Sequence, residues 1–144
     1  MLEFGTKIAG KEYLKRPGAY AVLINAQGEI GLVQNPKGYF LVGGGIEGDE
    51  TPEEALHREV LEEIGMSIEL GEKIGVSTQH IYVPEVDVYV TKEGHFYKAT
   101  LLETVSQDSE DTHELKWLAP EEALKNILHE SHRWAVEQVL KKKH

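Results

Sequence analysis

"GGGIEGDETPEEALHREVLEEIGM", residues Gly43 to Met66, decides how the rest of the chain is read. From Thr51 it has helical periodicity: Pro52 suits the first turn, Glu53 and Glu54 suit the positive end of the dipole, and Gly65 supplies the stop. Eight carboxylates and one arginine share the stretch. At about 100° per residue, Glu59, Glu62 and Glu63 fall on one face as i, i+3 and i+4, beside an apolar stripe of Leu56, Val60 and Ile64. Like charges a turn apart repel by about 0.2–0.5 kcal/mol per pair. Most charge runs are solvated faces, but those usually mix signs, and between Glu47 and Glu63 the only certain cation is Arg58. Three hard oxygen ligands within reach of one another suit magnesium or manganese, which would also neutralise the crowding. Ala55, one turn before Glu59, leaves the acidic stripe without a bulky neighbour.

Gly43, Gly44 and Gly45 permit backbone angles that other residues resist. A main-chain carbonyl can then turn toward a metal, or the chain can pass close to a phosphate; a tight strand-to-helix connection without a ligand is the plainer reading. Arg58 can reach Glu50 at the helix entry, where a bidentate pair would tie loop to helix. Spacing alone equally allows an ordinary surface pair worth about 0–1 kcal/mol.

Outward from this stretch the pattern changes to strands. "AYAVLIN" (Ala19 to Asn25) and "EIGLVQ" (Glu29 to Gln34) flank a Gln27-Gly28 turn, and "NPKG" leads to a short run, Tyr39 to Val42, that stops at the glycines. After the helix, "SIELGEKIGVSTQHIYV" and "VDVYVTKEGHFYKATLLE" read as strands, with a hairpin turn expected around Lys92 to Gly94. "KWL" (Lys116 to Leu118) is a last short strand, Pro120 opens a helix, and Ser131 is expected to cap a final helix with Trp134, Ala135, Val139 and Leu140 on its apolar face. This order predicts an α/β fold with a mixed sheet between helices.

The length of 144 residues fits one domain, residues 1–144. With no cysteine, disulfides, thiolate zinc sites and cysteine nucleophiles are excluded. No signal-peptide core or membrane-spanning run is evident, so a cytoplasmic location without membrane association is the expectation. A net charge of −10 argues against binding nucleic acid polymers, and an anionic substrate would need a bound cation.

The residues also resemble a known signature, the Nudix box, G-x5-E-x7-R-E-U-x-E-E-x-G-U with U aliphatic. Gly44, Glu50, Arg58, Glu59, Val60, Glu62, Glu63, Gly65 and Met66 fill it at the right spacing. Resemblance to this MutT-like hydrolase family implies an α/β/α Nudix fold and hydrolysis of a nucleoside diphosphate linked to a group X, with Mg²⁺ or Mn²⁺ as cofactor. It implies Glu59 and Glu63 as the main metal ligands, Glu62 as a direct or water-mediated ligand, a carbonyl of the Gly43 to Gly45 loop, taken as Gly44, and Arg58 with Glu50 as an orienting pair. Where the family often has proline and glycine, this chain has Val42 and Asp49, which bears on loop shape.

For the general base the family uses either a helix glutamate or one from a later loop. Glu110, Asp111 and Glu114 are the loop candidates, and Glu114 is favoured because the family often places a glutamate shortly before an aromatic residue of the last strand, here Trp117. His129 and His132 lack an evident third zinc ligand. Ser131 and His132, adjacent on a helix, do not form a hydrolase dyad. Tyr39, Tyr82, Tyr89, Phe96 and Tyr97 are candidates for stacking on a base, and Lys37 and Lys98 for phosphate contact. Tyr82 and Pro84 give conflicting subgroup marks, leaving nucleoside triphosphates, nucleotide sugars such as ADP-ribose, and dinucleoside polyphosphates open. A catalytically silent nucleotide sensor is the alternative function; a homodimer is a mild preference from relatives.

Overall fold

A computed structural model describes residues 2–105 and 113–141. Its organising element is the strand β2 (Tyr13–Ile24), because alternate side chains serve opposite faces of the sheet. Ala19, Ala21 and Leu23 pack against Ala55, Leu56, Val60 and Ile64 of the helix α1 (Pro52–Ile64). Tyr20 and Val22 turn the other way, toward Ala123 of α2 (Pro120–Asn126) and Ala135, Val136 and Val139 of α3 (Glu130–Lys141). Helices therefore cover both faces, as expected for the α/β sandwich.

The other strands are β1 (Leu2–Phe4), β3 (Ile30–Asn35), β4 (Gly38–Phe40), β5 (Val42–Gly45), β6 (Met66–Val83), β7 (Val88–Thr104) and β8 (Leu115–Leu118). They run in the order β1-β6-β7-β2-β3-β4, with β5 on β2 and β8 on β3. The sheet is mixed: β2 runs parallel to β7 from Tyr13↔Tyr89 to Leu23↔Ala99 and antiparallel to β3 and β5. No helix among the described residues is long and apolar enough to cross a membrane.

α1 forms despite its charge because its local signals agree. Thr51 Oγ1 accepts from Glu54 N at 3.1 Å and Glu54 Oε1 accepts from Thr51 N at 2.9 Å, a capping box worth about 1 kcal/mol. Gly65 closes the other end in the left-handed conformation, its N–H bonded to Leu61 O. Burying Leu56, Val60 and Ile64 contributes about 1.5–3 kcal/mol each, which outweighs a few tenths per repelling pair.

Three sequence expectations change. The glycines do not stop a strand: Val42 to Gly45 are β5, paired with Gly18–Ala21 of β2. Gly43 has φ 144, and a Cβ there would lie under 3.0 Å from both Ala19 O and Tyr20 Cα, so only glycine lets the strands meet. Lys92 to Gly94 are not a turn but the middle of β7, paired on both sides, because the Phe96 ring lies where a Gly94 side chain would be, 2.6 Å from its Cβ position. The hairpin instead turns at Pro84 to Asp87, the last with φ 50. Ser131 lies inside α3 rather than capping it, and its N–H donates to Gln79 Oε1 of β6 at 3.1 Å.

Candidate active site

α1 meets the sheet at β5, whose last three residues, Gly43 to Gly45, carry no side chains. A Cβ on Gly44 would lie under 3.0 Å from Glu59 Oε2, so the missing side chain is what lets the carboxylate reach the strand backbone. Ala55, assigned from the sequence to an open acidic stripe, is fully buried; the stripe faces the glycine strand, and Ala55 is small because the helix packs there. One turn on, Glu63 Oε1 accepts from Gly43 N at 3.0 Å and Glu63 Oε2 lies 3.3 Å from His113 Nδ1. Burial raises the pKa of Glu63, opposed by the Gly43 N–H and by His113. Its side chain is 17% exposed and Glu59's is 19%, so both carboxylates sit in a largely dry cleft beside the Gly43–Gly44 backbone. Gly18 leaves room beside the Gly44 carbonyl oxygen, which an added Cβ there would approach to 3.0 Å.

Arg58 ties this region together. Its Nε donates to Glu50 Oε2 at 2.7 Å and one terminal nitrogen to Glu50 Oε1 at 2.9 Å, a bidentate pair joining helix to loop. That nitrogen also donates to Gly45 O at 2.9 Å, and the other reaches Glu59 Oε1 at 2.8 Å and Glu62 Oε2 at 3.1 Å. Hydrogen bonding to Arg58 holds the Glu50 carboxyl below its usual range, and the same bond, first among several, raises Arg58. Among the described residues no three histidine, aspartate or glutamate side chains converge as a finished metal-ligand set. The donor chemistry nonetheless fits a hard cation: Glu59 and Glu63 flank the bare Gly44 backbone, and exposed Glu62 can rotate toward them from Arg58.

Glu63, beside Glu59, opens onto a cavity of about 570 Å³, a size typical of small-molecule sites. Gly43, Gly44, Gly45 and Glu63 form one side; Phe40, Leu41, His129 and His132 form part of another. His132 Nδ1 accepts from Leu41 N at 3.2 Å, which fixes a neutral ring, and burial pushes its pKa well below the usual value. Burial, aided by Lys92 and Lys37, likewise pushes His129 down to about 4. Their rings lie edge to face at 5.5 Å and both line the cavity. Half-buried Tyr20 also lines the cavity; desolvation, then the charges of Glu63 and Glu59, push its pKa up to about 12 and keep its hydroxyl protonated.

Not every sequence candidate is brought here. Glu114 carries an 80% exposed side chain turned to Lys116 at 3.6 Å and does not line the cavity; its neighbour His113 takes the place beside Glu63. Glu110 and Asp111 lie outside the described residues. Of the aromatic candidates, Tyr39, Tyr82, Tyr89, Phe96 and Tyr97 all miss the cavity lining, and the aromatic residues there are Tyr20 and Phe40. Phe96 is core, Tyr97 donates to Glu53, and Tyr82 donates to Asp87 at 2.8 Å near the hairpin tip. Pro84 is also at that tip, so neither subgroup mark reaches the site. Lys37 lines the cavity but Lys98 does not. Sequence reading missed Tyr20, His113, Arg16 and Lys92; only their types, not their spacing, marked them.

Comparison with known proteins gives a consistent picture. A family model described as NUDIX domain matches residues 14–139. The chain is 30% identical over 105 residues to a putative 8-oxo-dGTP diphosphatase of Bacillus subtilis (strain 168), covering 72% of this chain and 66% of that protein, just under two thirds of its length. In structure it is similar to a NUDIX hydrolase from Nitrosomonas europaea, with TM-score 0.71, 18% identity, and 90% and 91% of the two chains covered. An ADP-ribose pyrophosphatase from Streptococcus suis is similar with TM-score 0.64 and 20% identity over 90% and 92% of the chains. At these identities the structural likenesses establish the fold.

Proposed function

This chain belongs to the Nudix family, and from that premise we propose that it is a metal-dependent hydrolase cleaving the diphosphate link of a nucleoside diphosphate joined to a second group. The observation that carries this reading is the pair Glu59 and Glu63, set against the bare Gly43–Gly44 backbone at the mouth of a substrate-sized cavity. Glu59, Glu62, Glu63 and the Gly44 carbonyl would hold Mg²⁺ or Mn²⁺, an oxygen donor set suited to either ion. Such a cation, when bound, supplies charge neutralisation on the phosphate oxygens and a more acidic water.

The protein's own groups do the positioning. Arg58 and Glu50 lock the helix to the loop, fixing where Glu59 projects. Tyr20 keeps its proton and can donate to a phosphate oxygen from the cavity wall. Glu63 is the carboxylate that lines the cavity among the described residues, which makes it better placed than Glu114 to receive a proton from water. The activities for which the relatives are named, on 8-oxo-dGTP in one and ADP-ribose in another, leave the substrate to be found by assay.

The test is release of phosphate and nucleotide from nucleoside triphosphates, nucleotide sugars and dinucleoside polyphosphates, with and without Mg²⁺ or Mn²⁺, for the wild type and Glu63→Gln. Cleavage that requires metal and drops at least 100-fold in the variant is expected. Nucleotide binding without cleavage of any compound would instead make the chain a silent sensor.

A further inference from the structure

Charge is distributed along the cavity in a way the diphosphate reaction does not require. The whole chain has 15 lysines and arginines against 25 aspartates and glutamates, yet among the described residues the cavity wall carries Arg16, Lys37 and Lys92 against the single carboxylate Glu63. Lys92 is the most telling. It stands on β7 beside Arg16 of β2 and is half-buried, and among the described residues it forms no hydrogen bond or ion pair to a carboxylate. Its electrostatic neighbour is another cation, Lys37, whose carboxylate partner Glu85 is 3.6 Å away with both side chains more than half exposed. A desolvated ammonium without a counter-charge is a cost that folding alone gives no reason to keep.

The two ends of the cavity are electrostatically distinct. Glu63 is held by Gly43, which pairs with Tyr20 and through it lies level with Phe96, whereas Lys92 stands four residues back along β7, about 13 Å at 3.3 Å per residue. Lys92 and Lys37 together act on His129, which Phe40 meets edge-on at 5.2 Å. The lysine end is therefore not simply a further hold on a diphosphate placed at the carboxylates.

We propose that the end of the cavity walled by Lys92, Lys37 and His129 is a subsite for a second anionic group, a phosphate or a carboxylate carried by the substrate apart from its scissile diphosphate. This rests on the hydrolase reading for the placement of the diphosphate at Glu59 and Glu63. His129, neutral, can donate or accept a hydrogen bond beside the two ammonium groups and add direction to the charge.

Matched substrates test it on the full chain: UDP-glucose against UDP-glucuronate for a carboxylate, and ADP-ribose against ADP-ribose 2′-phosphate for a phosphate. Values of kcat/KM are measured with Mg²⁺ or Mn²⁺, and dissociation constants by calorimetry in EDTA, for the wild type, Lys92→Met and Lys37→Met. The expected result is a preference of about tenfold or more for the charged member of at least one pair, as one charge-assisted hydrogen bond provides. Lys92→Met should erase it by hitting the charged member about tenfold harder than its neutral partner, with no fall in melting temperature. Which pair responds identifies carboxylate or phosphate. No preference in either pair, or equal losses on both members, overturns the subsite; a fall in melting temperature on Lys92→Met makes Lys92 structural and overturns it too. Should nothing be hydrolysed, the hydrolase reading fails by itself, and the calorimetric preference still decides the subsite.

Discussion

Two adjacent glycines should respond to the same substitution in opposite ways. At Gly43 a Cβ would run into backbone, under 3.0 Å from Ala19 O and Tyr20 Cα, and φ is 144. The β2–β5 pairing cannot yield locally, so Gly43→Ala adds backbone strain of about 1–3 kcal/mol to overpacking of about 1–3 kcal/mol, roughly 4 kcal/mol in sum. At Gly44 the obstructing atoms belong to the tip of the Glu59 side chain, which can rotate away, and φ is not in the left-handed region. Gly44→Ala then loses the 2.8 Å bond from Arg58 to Glu59, worth about 1.5–3 kcal/mol. Reduced freedom of the unfolded chain returns about 0.4–1 kcal/mol, leaving a net cost of about 1–2 kcal/mol. The functional consequences invert this order, because displacing Glu59 should weaken binding of Mg²⁺ or Mn²⁺. Urea unfolding gives the stabilities, and melting temperature against metal concentration gives the affinities. A Gly43→Ala protein as stable as the wild type would refute the placement of β5, and an undiminished metal response in Gly44→Ala would refute Glu59 as a ligand.

Arg58→Lys should cost about 2 kcal/mol in urea unfolding at pH 7, because an ammonium cannot reproduce the bidentate hold on Glu50 and also reach Gly45 O and Glu59. His129, with its pKa pushed down to about 4, stays neutral when folded while the unfolded chain takes up a proton below about 6.5. Its contribution is thus present above pH 6.5 and lost as pH falls toward 4, by about 3 kcal/mol; urea curves at pH 7, 5 and 4 should show this loss shrinking in His129→Gln. Tyr97→Phe removes the hydrogen bond from Tyr97 to Glu53, which ties α1 to β7, and should cost about 1 kcal/mol. Because that bond is the chief influence lowering the Glu53 pKa, NMR titration should show it rising in the variant.

What could be read in advance was whatever a single helix writes into local spacing. Glu59, Glu62 and Glu63 share a face by periodicity alone, and Arg58 with Glu50 span one loop. Ala55 shows the limit of such reading: its place on the acidic stripe was right, but whether that stripe faced water or β5 depended on strands elsewhere. The misplaced turn has the same cause. "KEG" carries turn chemistry, but Gly94 is glycine because of Phe96 on the same strand, and pairing of β7 with β2 keeps the segment extended. The cationic wall was illegible for a stronger reason. Lys37, Lys92 and His129 come from the β3–β4 turn, β7 and the start of α3, and only the sheet order brings them to one cavity.

The crowding of charge on α1 is resolved unevenly, and the unevenness gives the site its direction. One guanidinium lies within 4.0 Å of carboxylates from Glu47, Glu50, Glu59 and Glu62, so a single positive charge is shared among four negative ones. Glu63 stands outside that network, relieved by the Gly43 N–H and His113, and is the carboxylate that faces the cavity. The surplus negative charge is therefore left next to bare backbone, where a divalent cation can both use it and balance it. On the same cavity wall Lys92 has no carboxylate partner among the described residues, with neutral His129 and His132 in the wall beside it. On the proposed reading, a polyanion entering this space would meet positive charge of two kinds, a divalent cation held by carboxylates and ammonium groups built into the fold. A substrate with its diphosphate at Glu59 and Glu63 and a second anionic group at Lys92 would then be held in one orientation, which is what the matched-substrate comparison measures.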